Sequence, residues 1–219
     1  MKNIRVKICC ISSSEEMKIA VSFGASAIGL VGKMPSGPGV IPDELIKEIA
    51  EKTPPGVSTF LLTSETSVKE IIAHYKRTFT STIQIVDDLL HTDGYENIRA
   101  ALPSVKLVQV IHITDESSID KALEISGKAD ALLLDSGNPN LKIKELGGTG
   151  RVHNWDISRK IVEQSGVPVF LAGGINAGNV RKAIETVQPF GVDLCSGVRT
   201  NGKLDPAKLE EFMLEIQKI

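Results

Sequence analysis

The chain has 219 residues, with 25 Lys and Arg against 27 Asp and Glu, and the resulting net charge of -2 gives no electrostatic reason to expect nucleic acid or an anionic membrane as partner. Hydrophobic residues make up 42%, enough for one sizeable core, yet no apolar run approaches the ~20 residues of a membrane span and the amino terminus lacks the apolar centre of a signal peptide. Three cysteines, Cys9, Cys10 and Cys195, are odd in number and the first two are adjacent, which suits free thiols in a reducing cytoplasm and small-molecule ligands.

The first β-like run, 4–10, places Ile4, Val6 and Ile8 on one face and Arg5, Lys7 and Cys9 on the other. By the same alternation Cys10 is expected outward, with Val6 and Ile8. Seven more β-branched runs follow at 27–31, 56–62, 81–86, 106–111, 131–134, 167–172 and 191–194. Between and after them lie amphipathic helical patterns at 14–23, 43–52, 67–76, 93–102, 115–126, 156–165, 177–187 and 206–216, several opened by Ser or Asp. Eight strand–helix units in a chain of this length favour a closed (β/α)8 barrel over an open doubly wound sheet, as one domain over 1–219. The longest irregular stretches, 32–42 and 136–154, follow strand ends, where barrels of this kind keep their working loops.

The chemistry-bearing residues fall at those same ends. Gly173-Gly174 and Ser196-Gly197 follow the last two strands, and glycines there let backbone N–H groups approach an anion, so they read as a phosphate cradle or, more plainly, as tight turns. Gly148 and Thr149, within Gly147-Gly148-Thr149-Gly150, fit a ligand-wrapping loop or a lid hinge equally. Asp135 closes an apolar strand: partial burial would raise its pKa and let it act as an acid near neutral pH, whereas the plain alternative is a loop cap. Cys9 is either a buried small hydrophobe or a base, and in the second case Lys7 on the same face would promote its thiolate. His112 at a strand end reads mainly as a hydrogen-bonded polar residue, and His91 among Asp87, Asp88 and Asp93 as solvated loop charge rather than a metal site.

In order along nearly the whole chain, Lys7-Ile8-Cys9-Cys10-Ile11-Ser12, Leu133-Leu134-Asp135-Ser136, Gly147-Gly148-Thr149-Gly150-Arg151 with Trp155, Leu171-Ala172-Gly173-Gly174-Ile175-Asn176 and Asp193-Leu194-Cys195-Ser196-Gly197-Val198 resemble the motifs of the phosphoribosylanthranilate isomerase family of tryptophan biosynthesis. The resemblance implies a (β/α)8 barrel catalysing an Amadori rearrangement of a phosphorylated sugar-amine without cofactor or metal, as a monomer or homodimer. It implies Asp135 as general acid and Cys9 as general base. Lys7, Gly148, Thr149, Gly173, Gly174, Ser196, Gly197 and Arg199 are then the expected substrate or phosphate contacts.

The departures concentrate at the end that would hold anthranilate. Where family members often carry a Ser-Pro-Arg-like stretch whose arginine takes the carboxylate, this chain reads Met34-Pro35-Ser36-Gly37-Pro38. The family's Gln-Leu-His-Gly is Gln84-Ile85-Val86-Asp87, the glycine of the first motif is Cys10, and an acidic residue common after the last Ser-Gly-Val is Arg199. Either Lys33, Arg151 or Arg199 replaces the missing arginine, or the barrel isomerises a different phosphorylated aminosugar; a phosphosugar-binding protein without turnover is the non-enzymatic alternative.

Overall fold

Eight parallel strands pair in chain order and close on themselves, the last beside the first. They are β1 (Arg5–Ile8), β2 (Ala27–Val31), β3 (Ser58–Thr63), β4 (Thr82–Ile85), β5 (Lys106–His112), β6 (Ala131–Asp135), β7 (Val169–Leu171) and β8 (Gly191–Leu194). The helices are α1 (Ser14–Ser22), α2 (Asp43–Lys52), α3 (Val68–Thr78), α4 (Gly94–Ala101), α5 (Ser117–Ser126), α6 (Trp155–Gln164), α7 (Val180–Val187) and α8 (Pro206–Gln217). This computed structural model describes residues 4–91, 93–137, 141, 144, 146 and 150–219. Among them no helix is long and apolar enough to cross a membrane.

Strand alternation sorts the apolar residues into two layers. Ile8, Ile28, Leu30, Leu61, Ile83, Ile111, Leu134 and Val192 face outward and share one cluster with Ile46, Ile71, Ile98, Ile161, Ile184 and Phe212 from the helices. Ala27, Val31, Phe60, Leu62, Val108, Val110, Leu133 and Phe170 fill the interior. Each fully buried Ile, Leu or Phe contributes about 1.5–3 kcal/mol relative to exposure, so the outer layer carries most of the apolar stabilisation. Inside, Phe60 and Phe170 meet edge to face with centroids 6.0 Å apart, forming a floor beneath the mouth.

Local signals explain most boundaries. Ser13 caps α1 by accepting from Glu16 N–H, and Asp205 caps α8 ahead of Pro206 at its first turn. Helix α7 starts at Val180, later than its periodicity predicts, because Asn176 and Asn179 hold the preceding segment as a turn. Two features depart from the sequence pattern. A two-stranded hairpin, β9 (Arg199–Thr200) with β10 (Lys203–Leu204), intervenes between β8 and α8. Strand β1 ends at Ile8, and Cys10 takes a left-handed φ of 62°. The expected outward orientation of Cys10 is therefore wrong: it lies with Cys9 in the inner cluster.

Candidate active site

At the carboxyl ends of the strands opens a cavity lined by Cys9, Gln84, Asp135 and Asp193. Strand register puts Lys7 beside Asp193 and His112 beside Asp135. Cys9 and Asp135 thus come from β1 and β6, separated by intervening strands on both sides of the closed barrel.

Lys7 is fully buried, its Nζ 2.9 Å from Asp193 Oδ2 and 5.2 Å from the centre of the Phe60 ring. Burial pulls the ammonium down, but Asp193 and the neighbouring Cys9 outweigh it and hold Lys7 above its ordinary value. Burial pushes Asp193 up while Lys7 opposes it. Lys7 is absent from the cavity lining. It lies fully buried below Cys9 rather than on the cavity wall where a phosphate or substrate contact was expected. Gly29 leaves the room, since a Cβ there would come within 2.8 Å of Cys9 Sγ and 3.1 Å of Lys7 Nζ.

Asp135 is enclosed at the barrel wall. Burial drives its carboxyl up, Asp193 adds to the rise, and the Ser136 N–H donated to Oδ1 at 2.7 Å together with His112 only partly offsets it. The net direction is upward, toward a protonated acid at higher pH than an ordinary aspartic acid. His112 donates from Nε2 to the Val86 carbonyl at 3.0 Å, the hydrogen-bonded role expected of it.

On the other side of the mouth, the turns after β7 and β8 interlock. Gly173 and Gly174 have φ of 79° and 66°, and the Gly174 carbonyl accepts from Asn176 Nδ2 at 3.1 Å and Asn179 Nδ2 at 2.9 Å. Both glycines and Ser196 line the cavity, while Gly197 packs so closely on the Ile175 carbonyl that no side chain fits. Gly148 and Thr149 lie outside the described residues. The adjoining Arg151 is exposed, and its backbone presses on Gly174.

Arg199 is corrected as a ligand. Its Nη1 and Nη2 clamp Glu16 Oε1 and Oε2 at 3.0 and 3.1 Å, and the same guanidinium donates to the carbonyls of Cys9, Cys10 and Gly202. It braces the β1 loop from behind and does not line the cavity. Glu16 also accepts from the Leu204 and Ser12 N–H groups, and although burial opposes it these partners hold its carboxyl below the ordinary value.

The β2 and β6 loops meet over the mouth, where Ser36 Oγ donates to the Lys144 carbonyl at 2.6 Å and Met34 and Leu146 line the cavity. Lys144 Nζ lies 2.5 Å from Asp87 Oδ2, and Lys121 pairs with Asp88 at 2.7 Å, so these carboxylates serve ion pairs. Among the described residues, no group of three or more His, Cys, Asp or Glu is placed to hold a metal ion. Sequence reasoning missed Asp193, Glu16 and Lys144 as parts of the site. Asp193 was within reach, being a carboxylate at an inward position of an apolar strand; the other two depend on contacts between distant segments.

A closed (β/α)8 barrel with a cavity at the carboxyl ends of its strands, lined by a buried carboxyl and thiols, has the architecture of a barrel enzyme. The profile of the N-(5'-phosphoribosyl)anthranilate isomerase family matches residues 6–215. N-(5'-phosphoribosyl)anthranilate isomerase 2 of Methanosarcina mazei is 34% identical over 212 residues, covering 96% of this chain and 92% of that protein. The isomerase of Methanosarcina acetivorans is 34% identical over 228 residues, covering 97% and 93%. The solved isomerase of Pyrococcus furiosus superposes with a TM-score of 0.82 at 27% identity, covering 99% and 100%. The chain belongs to the N-(5'-phosphoribosyl)anthranilate isomerase family, aldose–ketose isomerases of tryptophan biosynthesis.

Proposed function

We propose that Asp135 and Cys9 are the acid and base of this isomerisation. Asp135 gives its proton to the furanose ring oxygen as the C1′–O bond breaks and the nitrogen lone pair forms a C1′=N iminium. The Cys9 thiolate then removes the acidified C2′ proton, leaving an enolamine that tautomerises to the C2′ ketone. The observation that carries this reading is the placement of a burial-raised carboxylic acid and a thiol above Lys7 in one cavity, on well-separated strands where they do not neutralise each other. The residues supply the proton donor and acceptor themselves, with no step assigned to a metal or cofactor.

The phosphate would rest on the backbone of Gly173, Gly174, Ser196 and Gly197. The aromatic group would lie against Met34, Pro38, Leu62, Val86 and Leu146. With Arg199 committed to Glu16 and Lys144 to Asp87, the carboxylate falls to Lys33 or Arg151; Lys33 borders a second hollow that shares Met34 and Leu146 with the main cavity. The three free cysteines support a reducing, cytoplasmic setting. Loss of phosphoribosylanthranilate fluorescence with purified protein, and growth of a tryptophan auxotroph lacking the isomerase, test the assignment. Turnover of another phosphorylated aminosugar with none of this substrate would reassign the barrel.

A further inference from the structure

All three cysteines converge on the cavity lining, two buried and Cys195 partly exposed. Strands β1 and β8 stay paired up to this point, the Cys9 N–H donating to the Leu194 carbonyl at 2.9 Å. Cys10 stands where the family usually has glycine, and its left-handed backbone turns into the mouth a side chain that an extended strand would send outward. There it shares the lining of one cavity with Cys195, which follows the end of β8, and its thiol lies 3.7 Å from the Pro38 carbonyl.

We infer that Cys10 and Cys195 form an oxidation site for peroxides, a dithiol at the mouth that closes to an intramolecular disulfide. The two thiols have unequal characters. Cys195 is the partly exposed thiol of the three, and Cys10 and the Arg199 guanidinium hold it below the ordinary thiol value against the opposing effects of burial and Asp193. Cys10 is buried, and the neighbouring thiols of Cys195 and Cys9 together with burial push it up. Because peroxide reaches the partly exposed Cys195 first, it is the attacking thiol and the buried Cys10 the resolving one.

The Cys195 thiolate attacks one oxygen of hydrogen peroxide, an S–O bond forms as O–O breaks, and the departing hydroxide takes a proton to become water. Cys10 sulfur, giving up its proton, then attacks the Cys195 sulfenic acid, so that S–S forms and S–O breaks with release of a second water. Two electrons pass from the thiols to the peroxide.

The inference does not depend on Cys9 being the base, and mass spectrometry tests it without an activity assay. Protein treated with hydrogen peroxide and then alkylated should lose two hydrogens, retain one alkylatable thiol of its three, carry a Cys10–Cys195 link on fragmentation, and return to three thiols with dithiothreitol. Cys9→Ser should form the same link. Cys10→Gly should not, and should instead leave a Cys195 sulfenic acid that dimedone traps. A Cys9–Cys195 link, failure of Cys9→Ser to crosslink, or exclusive oxidation of Cys9 in the intact chain would overturn it.

Discussion

At the scale of single residues, the mouth is organised around charges that water would otherwise weaken. Burial raises Asp135, so its protonated form, the one that can donate, persists to higher pH than for an exposed aspartic acid. Because a carboxyl whose folded pKa is raised costs stability at neutral pH and returns it as pH falls, Asp135→Asn should be at least as stable as the wild type. Its kcat should nevertheless fall by at least ~10², and the alkaline limb of the pH–rate profile should disappear. Wild-type turnover in that variant would reduce Asp135 to a loop cap. The cysteine pair yields a second expectation at this scale. Cys9→Ser should fold and lose most activity, since a hydroxyl's pKa lies far above a thiol's ~8.5 and cannot supply a comparable base. Cys10→Gly suits the left-handed backbone there and should keep turnover. Iodoacetamide inactivation should track alkylation of Cys9, with protection by a substrate analogue; an essential Cys10 beside a dispensable Cys9 would reverse the assignment.

At the scale of elements, function resides in how loops press on one another. Gly174→Val would place a Cβ 2.8 Å from the Arg151 carbonyl carbon in a φ of 66° that β-branched residues avoid. The β7 turn would have to shift, and KM for the phosphorylated substrate should rise tenfold or more, about 1.4 kcal/mol, the scale of one charge-assisted hydrogen bond; an unchanged KM removes the phosphate from this turn. The cations divide by role. Arg199→Ala should cost about 2 kcal/mol in urea unfolding through the lost Glu16 clamp and lower kcat by loosening the Cys9 loop. Alanine at Lys33 or Arg151 should instead raise KM, and if only Arg199→Ala raises KM the carboxylate assignment is wrong. Sequence could show the turns after β7 and β8 because their glycines are local. It could not show the clamp, in which a side chain of the β9 hairpin reaches one of α1, nor the inward swing of Cys10, because alternation holds only while the backbone stays extended.

At the scale of the whole molecule, the eight strand–helix alternations were legible because each βα unit writes its own periodicity, and closure followed from their number in a chain of this length. The pairing of Lys7 with Asp193 needs that closure, since only the meeting of first and last strands brings the two residues together. The closed barrel also sets its own pH response, through opposing groups. Asp135 and Asp193, raised by burial, gain stability for the fold as pH drops, whereas Glu16 and Asp130, held below the ordinary carboxyl value, lose it. Between these stands His153, packed beside Gly173 with Nε2 2.7 Å from Ser158 Oγ, whose pKa burial lowers from 6.5 to about 4. A histidine depressed on folding contributes stability that is complete above its unfolded value and lost as pH falls toward its folded one, so the window runs from 6.5 down to about 4. The size of that shift corresponds to roughly 3 kcal/mol. Urea unfolding of wild type and His153→Asn at neutral pH and near pH 4 isolates this contribution from the carboxylates, which both proteins share. The variant should lose less stability across the window by about that amount, and parallel losses in the two proteins would show that His153 charges in the folded barrel without cost.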